Sequence, residues 1–297
     1  MLEKFSELYD MARRHDRKRL VLVAAHDEHS LEAVVRASKL QIIEGVLIGD
    51  KEKIENIASA RGFDLGAFRL IHQDDNELAA IEAVKMVRSG DADILMKGHM
   101  SSACLLRAVL NKDYGLRTGE QISHLALFEL RDYPKILGLS DAAMNISPDL
   151  KGKISMIKNS VNYFRSLGVE RPKVAVLSAV ETINVDMKSS LEASILAKMG
   201  ERGQIKHCEI DGPLAFDNAI SKKSAALKGI GGPVAGDADI LIADDIDVAN
   251  VLYKSLVYFA GAKAAAVIQG ASAPVVLTSR ADNDETKLNS IALAAAV

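Results

Sequence analysis

Seven short aliphatic runs set the terms on which this chain can fold: Leu20–Ala24, Gly45–Ile48, Asp93–Met96, Lys173–Leu177, Asp239–Ile242, Ala264–Ile268 and Pro274–Leu277. A strand with one wet face alternates apolar and polar side chains. A run that is apolar throughout is buried on both faces, as in parallel sheets covered by helices. Between the runs lie Leu78–Ser89, Ala103–Leu110, Leu150–Leu167 and Leu214–Leu227, each long enough for a crossover helix. The pattern predicts an α/β protein with largely parallel sheets. At 297 residues, roughly twice a typical domain of about 150, two domains are expected.

Charge and cysteine usage exclude several functions. The net charge of -3 leaves no basic surplus for a nucleic-acid backbone. The basic cluster Arg13–Arg19 is short, interrupted by Asp16, and reads as a solvated helix end. Cys104 and Cys208 stand far apart in sequence and form no CxxC pair, which fits a reducing compartment, so the cytoplasm is expected. The N-terminus is amphipathic and charged, and no window reaches about eighteen uncharged apolar residues; no export signal and no membrane insertion are expected.

One internal echo is literal. Gly90–Leu95 and Gly236–Leu241 both read GDADIL and both open a strand. The economical reading is a reused turn, with Gly in a left-handed position and the acids shaping the turn; the bolder one is two similarly built halves. The small-residue, turn-rich stretch Gly138–Pro148 is the expected seam between domains.

The chemistry concentrates in two places. Ile94–Arg107 reads as strand, glycine turn, then a helix opened by Ser101 or Ser102, with Lys97, Gly98 and His99 in the turn. Free N–H groups and the dipole at such a helix start suit an anion. Arg107 reaches the same place only if its helical face looks inward; a plain βα connection with a surface arginine is the alternative. Near the other end, VVLTSRADNDETK presents Ser279 and Arg280 at the mouth of a strand, followed by Asp282 as N-cap and Glu285 as N3 of a last helix. A hydroxyl, a planar cation and an acid at one turn can bind phosphate and move a proton.

Other motifs have plainer readings. Gly229–Gly236 is followed by Asp237 where a phosphate loop needs lysine, and it lacks GxGxxG spacing, so it reads as a turn. His26-Asp-Glu-His29 suits a capped helix start, and no metal site is assigned. Asp244, Asp245 and Asp247 read as an N-cap with acids in the first turn of a helix over Val248–Ala260. Cys104 reads as a small buried apolar residue rather than a nucleophile.

In their order, the passages AAHDEHSLEAV, GDADILMKGHMSSACLLRAVL, GLSDAAMNISPDLKGK, GPLAFDNAISKKSAA, GGPVAGDADILIADDIDVANVLYKSL and VLTSRADNDETKLNSIALA resemble the phosphate acetyltransferase and phosphate butyryltransferase family over essentially the whole chain. Acetyltransferases of that family follow the Ser-Arg pair with Gly-Cys, whereas Ala281-Asp282 follows here, so the chain is similar to the butyryltransferase branch. The resemblance implies reversible acyl transfer: acyl-CoA plus phosphate gives acyl phosphate plus CoA, with butyryl preferred. CoA would be a substrate and no cofactor would be tightly bound.

By the same resemblance Arg280 and Arg107 bind phosphate or stabilise the oxyanion, and Ser279 hydrogen-bonds at the reacting centre. Lys97, Gly98, His99, Ser101, Ser102 and Asp141 would lie at the substrate. The acetyltransferase branch places an acid seven residues beyond the serine; here that position is Thr286, with Asp284 and Glu285 just before it, and Glu285 is favoured as base. The implied fold is of the isocitrate/isopropylmalate dehydrogenase-like type: two α/β domains, three-layer sandwiches with largely parallel sheets, and an interdomain cleft. One domain would join residues 1–140 to 270–297, and the other would span 141–269. A homo-oligomer is also implied. Two other readings stand beside this one. In the first, a metal- and NAD(P)-dependent hydroxyacid dehydrogenase, the acids Asp244, Asp245 and Asp247 would hold the metal; the second is a two-lobed small-molecule binding protein.

Overall fold

The computed structural model describes residues 2–14, 16–279 and 282–297. Arg280 is the one site residue named above that lies outside the described residues. The chain forms two compact units. The first unit joins Ser6–Glu120 to Ala265–Val297, and the second joins Met1–Phe5 to Gln121–Ala264.

Along the chain come α1 (Phe5–Arg14), β1 (Lys18–Val23), α2 (Glu28–Lys39), β2 (Ile43–Gly49), α3 (Lys51–Arg61), β3 (Arg69–His72), α4 (Asn76–Ser89), β4 (Ile94–Lys97) and α5 (Ser102–Val109). The second unit carries β5 (Ser123–Glu129), β6 (Leu137–Ser140), α6 (Leu150–Ser166), β7 (Lys173–Leu177), α7 (Lys188–Glu201), β8 (Glu209–Leu214), α8 (Phe216–Ile220), α9 (Lys222–Leu227), β9 (Ile240–Ile242) and α10 (Ile246–Tyr258). Then β10 (Lys263–Gln269), β11 (Val275–Val276) and α11 (Asp284–Ala295) complete the first unit.

The first unit orders its strands β3-β2-β1-β4-β11-β10, with every neighbouring pair parallel except β10 with β11. The second orders them β8-β7-β9-β6-β5, and again only the last pair is antiparallel. This is a mixed α/β fold with mainly parallel sheets, and all seven expected strand runs lie in it. Ala264–Ile268 departs in direction, running antiparallel in β10. The runs at β3, β5, β6 and β8 also pair as strands. No helix among the described residues is long and apolar enough to cross a membrane.

Two organisational expectations are corrected. The chain divides at 120/121 and 264/265, not near 140 and 270. The reason is that β5 and β6 form an antiparallel pair whose inner strand, β6, lies parallel to β9 of the second unit. Leu214–Leu227 is two short helices rather than one: Ser221, extended at φ -125° and ψ 110°, ends α8, and its side chain accepts the Ser224 N–H to cap α9.

The GDADIL echo is a reused turn, and more than a turn is reused. Gly90 and Gly236 both take positive φ, 80° and 75°. Asp93 then exchanges backbone and side-chain bonds with Arg19 at the start of β1 (Asp93 N to Arg19 O 2.7 Å; Arg19 N to Oδ2 2.8 Å). Asp239 does the same with Lys173 at the start of β7 (2.8 and 2.7 Å). The surrounding frames match strand for strand, β2-β1-β4-β11-β10 against β8-β7-β9-β6-β5, with the same directions throughout.

Candidate functional site

In the first unit the chain lays β2 and β3 on one side of β1 and then steps to the other side for β4. Right-handed crossovers in the two directions put α2, packed with α11, and α4, packed with α5, on opposite faces. The carboxyl ends of β1 and β4 therefore open a crevice at the point where strand order reverses, the usual ligand position in such sheets.

The β4–α5 turn fits against β1 because residue 98 is glycine. The Gly98 and His99 N–H groups donate to the Val23 and Ala24 carbonyls at 2.7 and 2.8 Å. A Cβ on Gly98 would lie 2.3 Å from Ala24 O and 2.6 Å from Val23 O. Lys97 is buried, and its Nζ donates to Gly98 O (3.3 Å) and Met100 O (3.4 Å), bracing the turn from behind. Of the two candidate caps, Ser101 opens α5: its hydroxyl accepts the Cys104 N–H at 3.2 Å. His99 and Ser101 are exposed at this edge, and Ser102 is half-buried in the first turn.

β11 runs parallel beside β4, with Val276 opposite Met96, so the residues that follow each strand leave from the same edge. Ser279, exposed, enters a tight turn: its N–H donates to Asp282 Oδ2 (2.7 Å) and its carbonyl accepts the Asp282 N–H (3.2 Å). The N-cap of α11 is Asn283, accepting the Thr286 N–H at 2.8 Å, and not Asp282, whose carboxylate is already committed to Ser279. Glu285 is thus exposed in the first turn of α11 rather than the partner in a capping box, while Thr286 is buried. Lys287, buried, donates to Ser279 O and Asp282 O at 3.0 Å each and clamps the turn. Burial holds this ammonium below its ordinary pKa, against the opposing pull of Asp282, Asp27 and Asp284.

The β1 side contributes His26-Asp-Glu-His29. Asp27 caps α2 through the Ser30 N–H (2.9 Å), as expected of a helix start. His29 Nδ1 and Asp284 Oδ1 lie 2.7 Å apart, tying the start of α2 to that of α11. His26 instead turns toward His99, with ring centroids 5.3 Å apart. Among the described residues no three His, Cys, Asp or Glu side chains form a group that could hold a metal ion.

Arg107 lies on the last turn of α5, exposed, its guanidinium 2.9 Å from Glu77 in the first turn of α4. Since α4 leaves β3 at the same sheet edge, the pair stands at the carboxyl side of the strands. Cys104 is half-buried beneath it; burial, then the Glu77 charge, pushes its thiol above the ordinary value. Depressions of about 480 and about 570 Å³ run along α4 and at the amino ends of β1 and β4.

Asp141 belongs to the second unit. Its carboxylate, buried, takes four donors: His124 N (2.9 Å) and Asn145 Nδ2 (2.6 Å) on Oδ2, Ala143 N (2.9 Å) and Met144 N (2.8 Å) on Oδ1. That arrangement builds the turn after β6. Of the acids that a dehydrogenase reading needs, Asp244 is bonded to the buried ammonium of Lys153, which also holds Glu192 at 2.6 Å. Asp245 caps α10 through the Val248 N–H (2.9 Å), with Asp247 in the first turn. The glycine stretch 229–236 is a turn, and a Cβ added at Gly236 would lie 2.4 Å from Lys222 N.

Sequence reasoning missed His26 and Lys287. His26 was visible only as one member of a helix-start motif, and Lys287 had the look of a surface lysine.

Fold and crevice define a mixed α/β protein that gathers the Gly98 and Ser279 turns at the carboxyl ends of adjacent parallel strands. The family model described as "Phosphate acetyl/butaryl transferase" matches residues 72–295, and the chain belongs to this family. It is similar to a phosphate butyryltransferase of Clostridium beijerinckii, 46% identical over 100% of this chain and 98% of the relative. A phosphate acetyltransferase of Thermotoga maritima is 45% identical over 97% of this chain and 98% of its own length. Among solved structures, a branched-chain phosphotransacylase from Enterococcus faecalis aligns with TM-score 0.83 and 33% identity, covering 93% of this chain and 97% of that one.

Proposed function

We propose that this enzyme transfers a short-chain acyl group, butyryl in preference to acetyl, between CoA and inorganic phosphate. A phosphate oxygen attacks the thioester carbonyl, the C–S bond breaks, and the departing thiolate takes a proton; the reverse reaction returns both. The observation that carries the reading is the meeting of the Lys97-Gly98-His99 turn, the α5 start at Ser101 and Ser102, and the Ser279 turn at one edge of adjacent parallel strands. Backbone N–H groups at a helix start suit an anion.

Within this reading Arg280 and Arg107 supply guanidinium donors for phosphate and for the tetrahedral oxyanion. Ser279 hydrogen-bonds at the reacting centre, and Glu285, exposed at the start of α11, serves as base for the thiol. A thiol titrates near about 8.5, so such a base matters in the direction that consumes acyl phosphate. Asp141, with both oxygens engaged, orders its turn as a positioning residue. The architecture is of the isocitrate/isopropylmalate dehydrogenase-like type, and CoA enters as a substrate in the cytoplasm. The exposed apolar side chains Val248, Val251, Tyr258 and Phe259 on and just after α10 support a homo-oligomer.

The test is phosphate-dependent release of free thiol from acetyl-, butyryl- and longer acyl-CoA. Butyryl should exceed acetyl; equal or reversed rates refute the branch assignment, and no phosphate dependence refutes the function. Arg280→Ala should lower kcat/KM by about a hundredfold or more with the fold intact by circular dichroism.

A further inference from the structure

His26 has a place in the crevice that neither its helix-start motif nor the family reading uses. It leaves β1 at the switch point, its ring set against that of His99 from the end of β4 at an interplanar angle of 54°. This tilted contact restricts rotation of the imidazole. The ring is half-exposed, yet its Nδ1 is buried and has no hydrogen-bond partner. That nitrogen faces the end of β2, where a Cβ on Gly49 would lie 3.2 Å from it. Nε2 is not among the sealed atoms, so it is the ring nitrogen left open to a ligand.

We propose that His26 is a substrate-contacting hydrogen-bond donor, fixed as the Nε2–H tautomer and presenting that N–H to a negatively charged oxygen of the phosphate or of the acyl oxyanion. The inference rests on the acyl-transfer reading. Its first step is the proton count. Burial holds the imidazole below its ordinary pKa, and the charges of His99 and Lys53 add to this against Asp50 and Asp27, so it is neutral at pH 7 and carries one proton. The second step is where that proton sits. On Nδ1 it would be a buried N–H without an acceptor, the rarer and costlier kind of orphan. On Nε2 it faces ligand. A neutral imidazole in that tautomer has its lone pair sealed away, so it donates and does not act as base.

The test combines a spectroscopic readout with a rescue. In the full chain, ¹⁵N shifts of labelled histidine should identify His26 as the Nε2–H tautomer near neutral pH. His26→Ala should lose about tenfold or more, and His26→Gln, which returns an amide N–H at similar reach, should recover most of it. A rise in KM for phosphate with kcat kept assigns the contact to bound phosphate; a fall in kcat with KM kept assigns it to the oxyanion. An Nδ1–H tautomer, a glutamine variant as inactive as the alanine one, or an alanine variant equal to wild type each overturns the proposal. If the alanine variant does not fold, the tautomer and the glutamine variant still decide it. If the wild type shows no phosphate-dependent thiol release, the acyl-transfer reading fails separately, while the tautomer stands or falls on the shifts.

Discussion

Gly98 shows how one missing side chain positions a crevice. The contacts a Cβ would make there, at 2.3 and 2.6 Å, are with backbone oxygens of β1 that already accept the Gly98 and His99 N–H groups. A flexible neighbour could swing away; a strand carbonyl cannot. Gly98→Ala is therefore expected to cost about 1–3 kcal/mol in chemical denaturation and to lower kcat/KM, since the turn must back away from β1. Lys287→Met should cost about as much, by leaving the Ser279 and Asp282 carbonyls without their charged donor. An unchanged denaturation midpoint in either variant contradicts the assigned role. The sequence displayed Lys97, Gly98 and His99 because strand, turn and helix follow one another locally. It hid Lys287, because α11 is buried all round from Thr286 to Ala295 and has no polar stripe against which a buried lysine stands out. Asp282 was misread as N-cap since Asp and Asn serve equally there; the choice is made by the Ser279 N–H, a tertiary turn contact.

At the scale of elements, the two GDADIL copies perform one task in two electrostatic settings. Asp93 joins Arg19 at a rim where their side chains are 32% and 42% exposed, so solvent screens their ion pair and it contributes little. Asp239 also meets Lys135 Nζ at 2.6 Å, with side chains 9% and 2% exposed. Taking the charge from one partner of a buried pair is far more costly, although Asp237, 3.1 Å from the same ammonium, retains part of the interaction. Asp239→Asn should thus cost about 2–4 kcal/mol and Asp93→Asn clearly less, compared by urea denaturation; equal losses would mean that burial does not govern the difference. The echo was legible as a turn but the shared five-strand frame was not. In the first unit the hairpin β10–β11 follows the parallel strands along the chain, whereas in the second β5–β6 precedes them. A frame repeated with its hairpin moved from one end to the other leaves no constant sequence period to detect.

For the whole molecule, the α/β class was readable because doubly buried strands tolerate few polar residues, while the unit boundaries were not, since β6 and its turn look like a linker until the pairing with β9 is known. Charge gives the molecule a pH dependence of definite sign. Burial raises the carboxyls of Asp27, Asp93 and Asp237, but hydrogen bonds from Ser30, from Arg19, and from Lys173 and Lys135 respectively outweigh it and leave all three below the ordinary range. A depressed folded value means that the unfolded chain binds protons first as the solution is acidified. The stability these groups contribute is present above the unfolded value of about 4 and is lost as pH falls through their folded values. Asp211 opposes them: burial raises it, the Gly212 N–H offsets only part, and its contribution is present below the unfolded value and lost as pH rises through the folded one. Lowered carboxyls outnumber the single raised one, and Asp93 and Asp237 are held by arginine and lysine, so the acid limb should fall. Melting temperature is expected to decline gently from pH 7 to about 5, because the fold resists protonation of His26, and to drop more steeply below about 4, with a smaller drop in Asp93→Asn. A melting temperature that rises on acidification to pH 3 would show that the raised carboxyl, and not the paired ones, dominates.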